Sequence, residues 1–239
     1  MLSLLKDAAE LLSHNADTIN KATCLCWAHP LQAIILGSIE ATAATTVWAF
    51  SLLLNNCNAL KKAQHELDTH IGRERHMQES DVKNLVYLRA IIKETMRIYP
   101  GAPLSIPRES IEECTTGGYS IPAGTRLIIN LAKLQRDLNV WSKADEFQPE
   151  RFLTTHKHVE VKGQNYELIP FGSGRRICSG VSLALQIMHF TVGNLLHAFE
   201  ITTPSDEPID MSESAALTNL KATPLEVLLT SRLPAHLYE

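Results

Sequence analysis

Cys178 is the residue in this chain whose setting most directly implies chemistry. It stands in Ile169-Pro-Phe-Gly-Ser-Gly-Arg-Arg-Ile-Cys-Ser-Gly180, immediately before an apolar helical segment at 181–199. Gly172, Gly174 and Gly180 let the backbone turn sharply and approach something flat and bulky. At a helix N-terminus the unpaired N–H groups and the helix dipole stabilise an anion, and a thiolate there is a ready metal ligand. A lone thiolate without a Cys-x-x-Cys partner makes a poor zinc site but a good axial ligand for haem iron. Arg176 and its neighbours suit carboxylates such as haem propionates, through charge-assisted hydrogen bonds. The plain alternative is a glycine-rich loop around a buried structural cysteine.

The spacing Phe171-x-x-Gly174-x-Arg176-x-Cys178-x-Gly180 resembles the haem-ligand signature of the cytochrome P450 family. Ser179 stands where that family frequently has proline, at a position that supplies no iron ligand. Upstream, Leu36-Gly-Ser-Ile-Glu-Ala-Thr42 resembles the family's oxygen-binding groove, where an acid–alcohol pair on a long helix relays protons toward dioxygen. The resemblance makes Glu40 the acid. Ala41 occupies the alcohol position, and Thr42 follows one residue later, about 100° further round the helix. The local alternative has Glu40 held by a nearby hydrogen bond and Thr42 bonded back to its own helix. About eight residues at 26–33, including Pro30, look inserted relative to the family pattern.

Glu94 and Arg97, three apart, share a helix face, and Pro149-Glu-Arg-Phe152 follows some fifty residues later. In the family such an arginine folds back onto such a pair, which makes Glu94, Arg97 and Arg151 a buried structural cluster rather than catalytic groups. Burying three charges is tolerable only when all are mutually satisfied. The resemblance further implies that Arg108 reaches a propionate and that Phe171, Gly174, Arg176, Cys178 and Gly180 form the haem loop. Ala102, Ile106 and Leu217 would then line the substrate pocket.

To position those residues, the resemblance implies a mainly α fold with small β-sheets, the C-terminal half of the cytochrome P450 fold. The patterning predicts a long groove helix at about 31–57 and the Glu-x-x-Arg helix at about 81–99, stopped by Pro100-Gly101. A β-rich segment at 102–135 includes a strand at 126–131, the cysteine loop spans 169–180, and a closing hairpin covers 215–230. His156-x-His158 reads as exposed loop histidines, without ligands at metal spacing.

Residues 31–54 are apolar enough to span a bilayer, but Glu40 and the hydroxyls of Ser38, Thr42, Thr45 and Thr46 favour a core helix with a polar notch. The N-terminus lacks a basic-then-apolar layout, and no membrane anchor is expected there. Five cysteines without framework spacing favour reduced thiols in a cytosol-facing protein. A formal net charge of −4 argues against nucleic acid as the main partner.

The resemblance is strongest to the plant microsomal branch. It implies haem b, dioxygen, an NADPH-dependent flavoprotein reductase and a small apolar substrate of plant specialised metabolism. It also implies attachment to the cytosolic face of the endoplasmic reticulum in full-length relatives. Two rivals stand beside that reading: a truncated, non-catalytic haem-binding fragment, and a membrane-spanning interaction protein built on 31–54. The second leaves the downstream motifs unexplained.

Overall fold

The structure, a computed structural model, describes the backbone of residues 21–205 and 207–238, with side chains from residue 37 onward. It divides into two units, Met1–Glu40 and Ala41–Glu239. In the first, helix α1 (Lys21–Asn55) begins ten residues earlier than the sequence predicts and stays helical through Pro30. The side chains of the apparent insertion at 26–33, and of Cys24 and Cys26, lie outside the described residues. Gly37, Ser38, Ile39 and Glu40 are exposed.

The second unit opens with the rest of α1, which sinks into the core at Ala44, Trp48, Ala49, Leu52 and Leu53. Its hydroxyls are satisfied along the helix: Thr45, Thr46 and Ser51 donate to the carbonyls of Ala41, Thr42 and Val47. Within the described residues, Gly37–Asn55 is long and apolar enough to cross a membrane by length and composition, with 44% of its most apolar window buried in the protein. The helix stops at Asn56, whose side-chain amide donates to the Leu52 carbonyl at 2.8 Å.

Helix α2 (Cys57–Ile71) buries Leu60, Ala63, Gln64, Leu67 and Ile71, the spacing of one helical face. The predicted helix at 81–99 is two elements, a 3₁₀ turn Glu79–Asn84 and α3 (Val86–Ile98). Leu85 parts them because its side chain is fully buried, and the backbone leaves helical geometry to put it there (φ −90°, ψ 79°). The Glu66 carboxylate on α2 then accepts the N–H groups of Tyr87 and Leu88 at 2.7 and 2.9 Å, capping α3 from outside.

Short antiparallel pairs follow: β1 (Arg108–Glu109), β2 (Cys114–Thr116), β3 (Tyr119–Ile121) and β4 (Arg126–Leu127), with β1 on β4 and β2 on β3. The predicted strand at 126–131 ends early, because the Asn130 side chain accepts the Lys133 N–H and starts α4 (Leu131–Leu134). His156 is half-buried, not exposed: it stacks on Trp141 with ring centroids 4.4 Å apart.

After a 3₁₀ turn at Gly174–Arg176 comes α5 (Val181–Ala198), which packs on α2 and α3. The chain then extends at once into β5 (Phe199–Thr202), with Ile201 buried. The closing hairpin differs from expectation. Residues 215–220 form no strand; β6 (Leu228–Ser231) pairs instead with β5, and Glu213 bridges to Lys221. Arg232 fixes this arrangement by donating to the carbonyls of Leu196 and His197 at the end of α5 and to Asp68 on α2.

His189, on the buried face of α5, has its pKa pushed down to about 4 by burial, with Arg89 and Lys93 adding repulsion. The folded state therefore holds this imidazole neutral over a range where the unfolded chain protonates it near pH 6.5. Stability is present above that pH and is lost progressively as pH falls toward 4. In urea unfolding at pH 7 and pH 5, the protein should lose about 2 kcal/mol more than His189→Phe does between the two pH values. Parallel pH dependence in both proteins would contradict this.

Candidate haem-thiolate site

The loop before α5 is closed by its own backbone. The Cys178 N–H donates to the Phe171 carbonyl at 3.0 Å, that of Gly172 to Ile169 at 2.8 Å, and that of Ile177 to Gly174 at 3.1 Å. Phe171 anchors one side by packing against the hydrophobic core. The Gly180 carbonyl accepts the first bond of α5, from the Ala184 N–H, so Cys178 stands two residues before the cap of the helix. Cys178 itself is exposed rather than buried.

A second glycine-bearing segment braces this loop. Gly163 sits at φ +75°, and a Cβ there would lie 2.9 Å from the Gly172 carbonyl oxygen and 2.9 Å from Ile177 Cδ1. Ser173 Oγ donates to the Gly163 carbonyl at 2.6 Å. Backbone lies against backbone only because no side chain intervenes. Gly163 was not singled out in the sequence, where a lone glycine in a polar stretch reads as an ordinary turn.

Arg108, half-buried at the start of β1, donates from Nη2 to the Arg176 carbonyl at 3.3 Å. This brings the two predicted propionate partners to one loop, with the Arg176 and Arg175 side chains exposed. An exposed soft sulfur donor, arginines on or against the same loop and a glycine-built backbone fit a flat, anionic, iron-bearing macrocycle.

Below the loop lies a buried charge cluster. Glu94 and Arg97 are fully buried and Arg151 is 4% exposed. Arg97 grips Glu94 through Nε at 2.8 Å and Nη2 at 2.9 Å, and Arg151 Nε reaches the same carboxylate at 3.0 Å. The Gln148 N–H is a further donor to it, at 2.9 Å. One carboxylate faces two guanidinium groups, so the excess positive charge needs other acceptors. Backbone carbonyls supply them: Gln135, Ala144 and Glu146 to Arg97; Ser142, Lys143 and Glu146 to Arg151. These carbonyls carry no residue-type signal, which is why the sequence pointed to the three side chains and not to their ring of acceptors.

Gly101 lies against α1, and the structure does not bring the remaining candidates together. A Cβ on Gly101 would lie 3.7 Å from Ala41 Cβ and 4.0 Å from Thr45 Oγ1, and the Gly101 carbonyl accepts the Asn219 N–H at 3.0 Å. Ala102 follows it and is half-buried, while Ile106 and Leu217 are exposed. Thr42 is half-buried on α1; Glu40 is exposed and belongs to the first unit.

Comparison with known proteins agrees over nearly the whole chain. Residues 15–228 match the family described as cytochrome P450. A flavonoid-6-hydroxylase of Ocimum basilicum is 54% identical over 238 residues, covering 100% of this chain and 43% of that protein. A demethylepipodophyllotoxin synthase of Sinopodophyllum hexandrum is 54% identical over 233 residues, 98% of this chain and 43% of that one. Among solved structures, a zebra fish cytochrome P450 with progesterone superposes with a TM-score of 0.73 at 31% identity, over 84% of this chain and 44% of that one. The chain thus spans about 43% of the length of the curated relatives it matches.

Gly163→Ala should displace the cysteine loop, since the added methyl meets two atoms at 2.9 Å and the backbone is left-handed. Gly124→Ala, equally left-handed at φ +80° but with nothing within 4 Å, isolates the backbone cost, about 1–2 kcal/mol. Denaturant unfolding should show a larger loss for Gly163→Ala, together with faster hydrogen exchange at the Cys178 N–H. Equal losses and unchanged exchange there would contradict the bracing.

Proposed function

The chain belongs to the cytochrome P450 family of haem monooxygenases, and on that premise we propose that it carries the haem-thiolate part of an enzyme that inserts one oxygen atom of dioxygen into a small apolar plant metabolite. The observation that carries the reading is the exposed Cys178 thiol, on a backbone-closed loop with Arg108 and Arg176 beside it. The names of the relatives support an oxygenated product of plant specialised metabolism, such as a hydroxylated flavonoid.

Haem bound at this site supplies activation of dioxygen, with the thiolate's electron donation favouring O–O cleavage. Cys178 is the proposed iron ligand, and Arg108 and Arg176 the proposed partners of the propionates. Phe171, Gly174 and Gly180 hold the loop so that the sulfur projects from it. Ala102, Ile106 and Leu217 present apolar surface to the substrate. Glu40, helped by Thr42 or by water, would deliver protons. An NADPH-dependent flavoprotein reductase supplies electrons on the cytosolic face of the endoplasmic reticulum.

A second reading, haem binding with poorly coupled turnover, is favoured by Ala41, which puts a methyl group where the resemblance expects a hydroxyl. A Cβ on Gly101 would lie 3.7 Å from the Ala41 methyl.

Loading the purified chain with haem, reducing it and adding carbon monoxide should give a thiolate-type absorption band that Cys178→Ala abolishes. A band that survives Cys178→Ala would overturn the assignment of the ligand. With reductase and a flavonoid-type substrate, Ala41→Thr should raise the fraction of NADPH converted to product. An unchanged fraction would remove position 41 from proton delivery.

A further inference from the structure

Helix α3 ends against Pro100, which has no N–H, and its last carbonyls need donors from elsewhere. Gln135, fully buried just after α4, supplies two of them: its Nε2 donates to the carbonyls of Met96 and Arg97 at 2.9 and 3.2 Å. Arg136 Nη2 donates to the carbonyl of Ile98 at 2.6 Å. The other end of the same Gln135 amide, Oε1, accepts the N–H of Ile169 at 3.1 Å. Its own carbonyl takes Arg97 Nη1 at 3.0 Å, and its N–H goes to Leu131 at 2.9 Å. Every polar atom of the residue is engaged.

Ile169 is the point where the cysteine loop leaves the core. It is 5% exposed, its N–H is held by Gln135, and its carbonyl accepts the Gly172 N–H at 2.8 Å. Two residues on, the Phe171 carbonyl accepts the Cys178 N–H. A short series of directional bonds therefore runs from the Glu94 cluster through Gln135 and Ile169 to the loop whose Phe171 carbonyl holds the Cys178 backbone N–H. Pro170, again without an N–H, leaves Ile169 as the last backbone donor before Phe171.

We propose that Gln135 is a positioning residue that transmits the placement of the buried charge cluster to the cysteine loop and so fixes where the Cys178 sulfur stands. A plain capping role for α3 would need only the amide N–H groups; the bond to Ile169 gives the residue its second function. The inference rests on Cys178 being the haem ligand for its consequence, but not for its test.

The test uses the whole chain without haem and reads hydrogen exchange by mass spectrometry at two backbone N–H groups, those of Ile169 and Cys178. Gln135→Met matches the size of the side chain and removes both halves of its bonding. Gln135→Asn keeps the amide and shortens its reach. Leu67→Ala, at a fully buried position on α2, provides a general loss of stability remote from the loop. Gln135→Met should raise exchange at Ile169 and Cys178 about tenfold above Leu67→Ala. Equal effects of Gln135→Met and Leu67→Ala would overturn the inference. If Gln135→Met does not fold, Gln135→Asn decides: exchange at Ile169 and Cys178 raised above Leu67→Ala supports the inference, and exchange equal to it overturns it. In the haem-loaded chain, the thiolate-type carbon monoxide band should weaken in Gln135→Met and persist in Leu67→Ala. A chain that shows the exchange pattern but no band in any variant would refute the haem reading and leave the role of Gln135 standing.

Discussion

A carboxylate taken wholly out of water, as Glu94 is, has to be matched by donors that cannot drift away, and much of the fold follows from that requirement. Arg97 comes from the same helix and Arg151 from a turn more than fifty residues later, so the chain between them must return to α3. The two guanidinium groups outnumber the carboxylate, and their remaining N–H groups draw in the carbonyls of 142–146 as a tight loop. Trp141, fully buried, lies beneath both guanidinium groups, with centroid distances of 5.2 and 6.0 Å. Hydrophobic burial supplies most of the stability here, as in any domain, but it is non-directional. The charge cluster supplies direction.

From that cluster the order spreads to the cysteine loop along polar contacts rather than through apolar packing alone. Phe171 contributes packing, but the Gln135–Ile169 bond, the Gly163 backbone and the Arg108–Arg176 contact set the loop's position. This division suits a site built on an exposed sulfur. A ligand that must face a large planar group cannot also be buried among side chains, so the supports act from behind and through the backbone.

The sequence made legible what depends on residue type and spacing. Phe171, Gly174, Arg176, Cys178 and Gly180 lie on one loop with Arg108 against it, and Glu94, Arg97 and Arg151 converge. What depends on backbone geometry was hidden. The carbonyl acceptors of 142–146 have no side-chain signature, and Gly163 is notable only once its neighbour is known to be Gly172. Leu85 splits the helix expected at 81–99 because tertiary burial overrode local helical preference. The partner of β6 is β5 because α5 hands its chain directly into an extended segment, a pairing that no local turn signal announces. Gln135 looked like one polar residue among several; only its placement between two chain segments distinguishes it.

The central claim is that a single buried carboxylate organises the support on which the Cys178 loop stands. The most direct measurement is urea unfolding of Glu94→Gln, which keeps the shape and removes the charge, combined with hydrogen exchange at the Cys178 N–H. The account predicts a loss of about 3–5 kcal/mol, because two buried guanidinium groups are left without their counter-ion. It also predicts exchange at Cys178 faster than in a core variant of equal stability. A change within about 0.5 kcal/mol, the range of ordinary surface substitutions, together with unaltered exchange at Cys178, would contradict it.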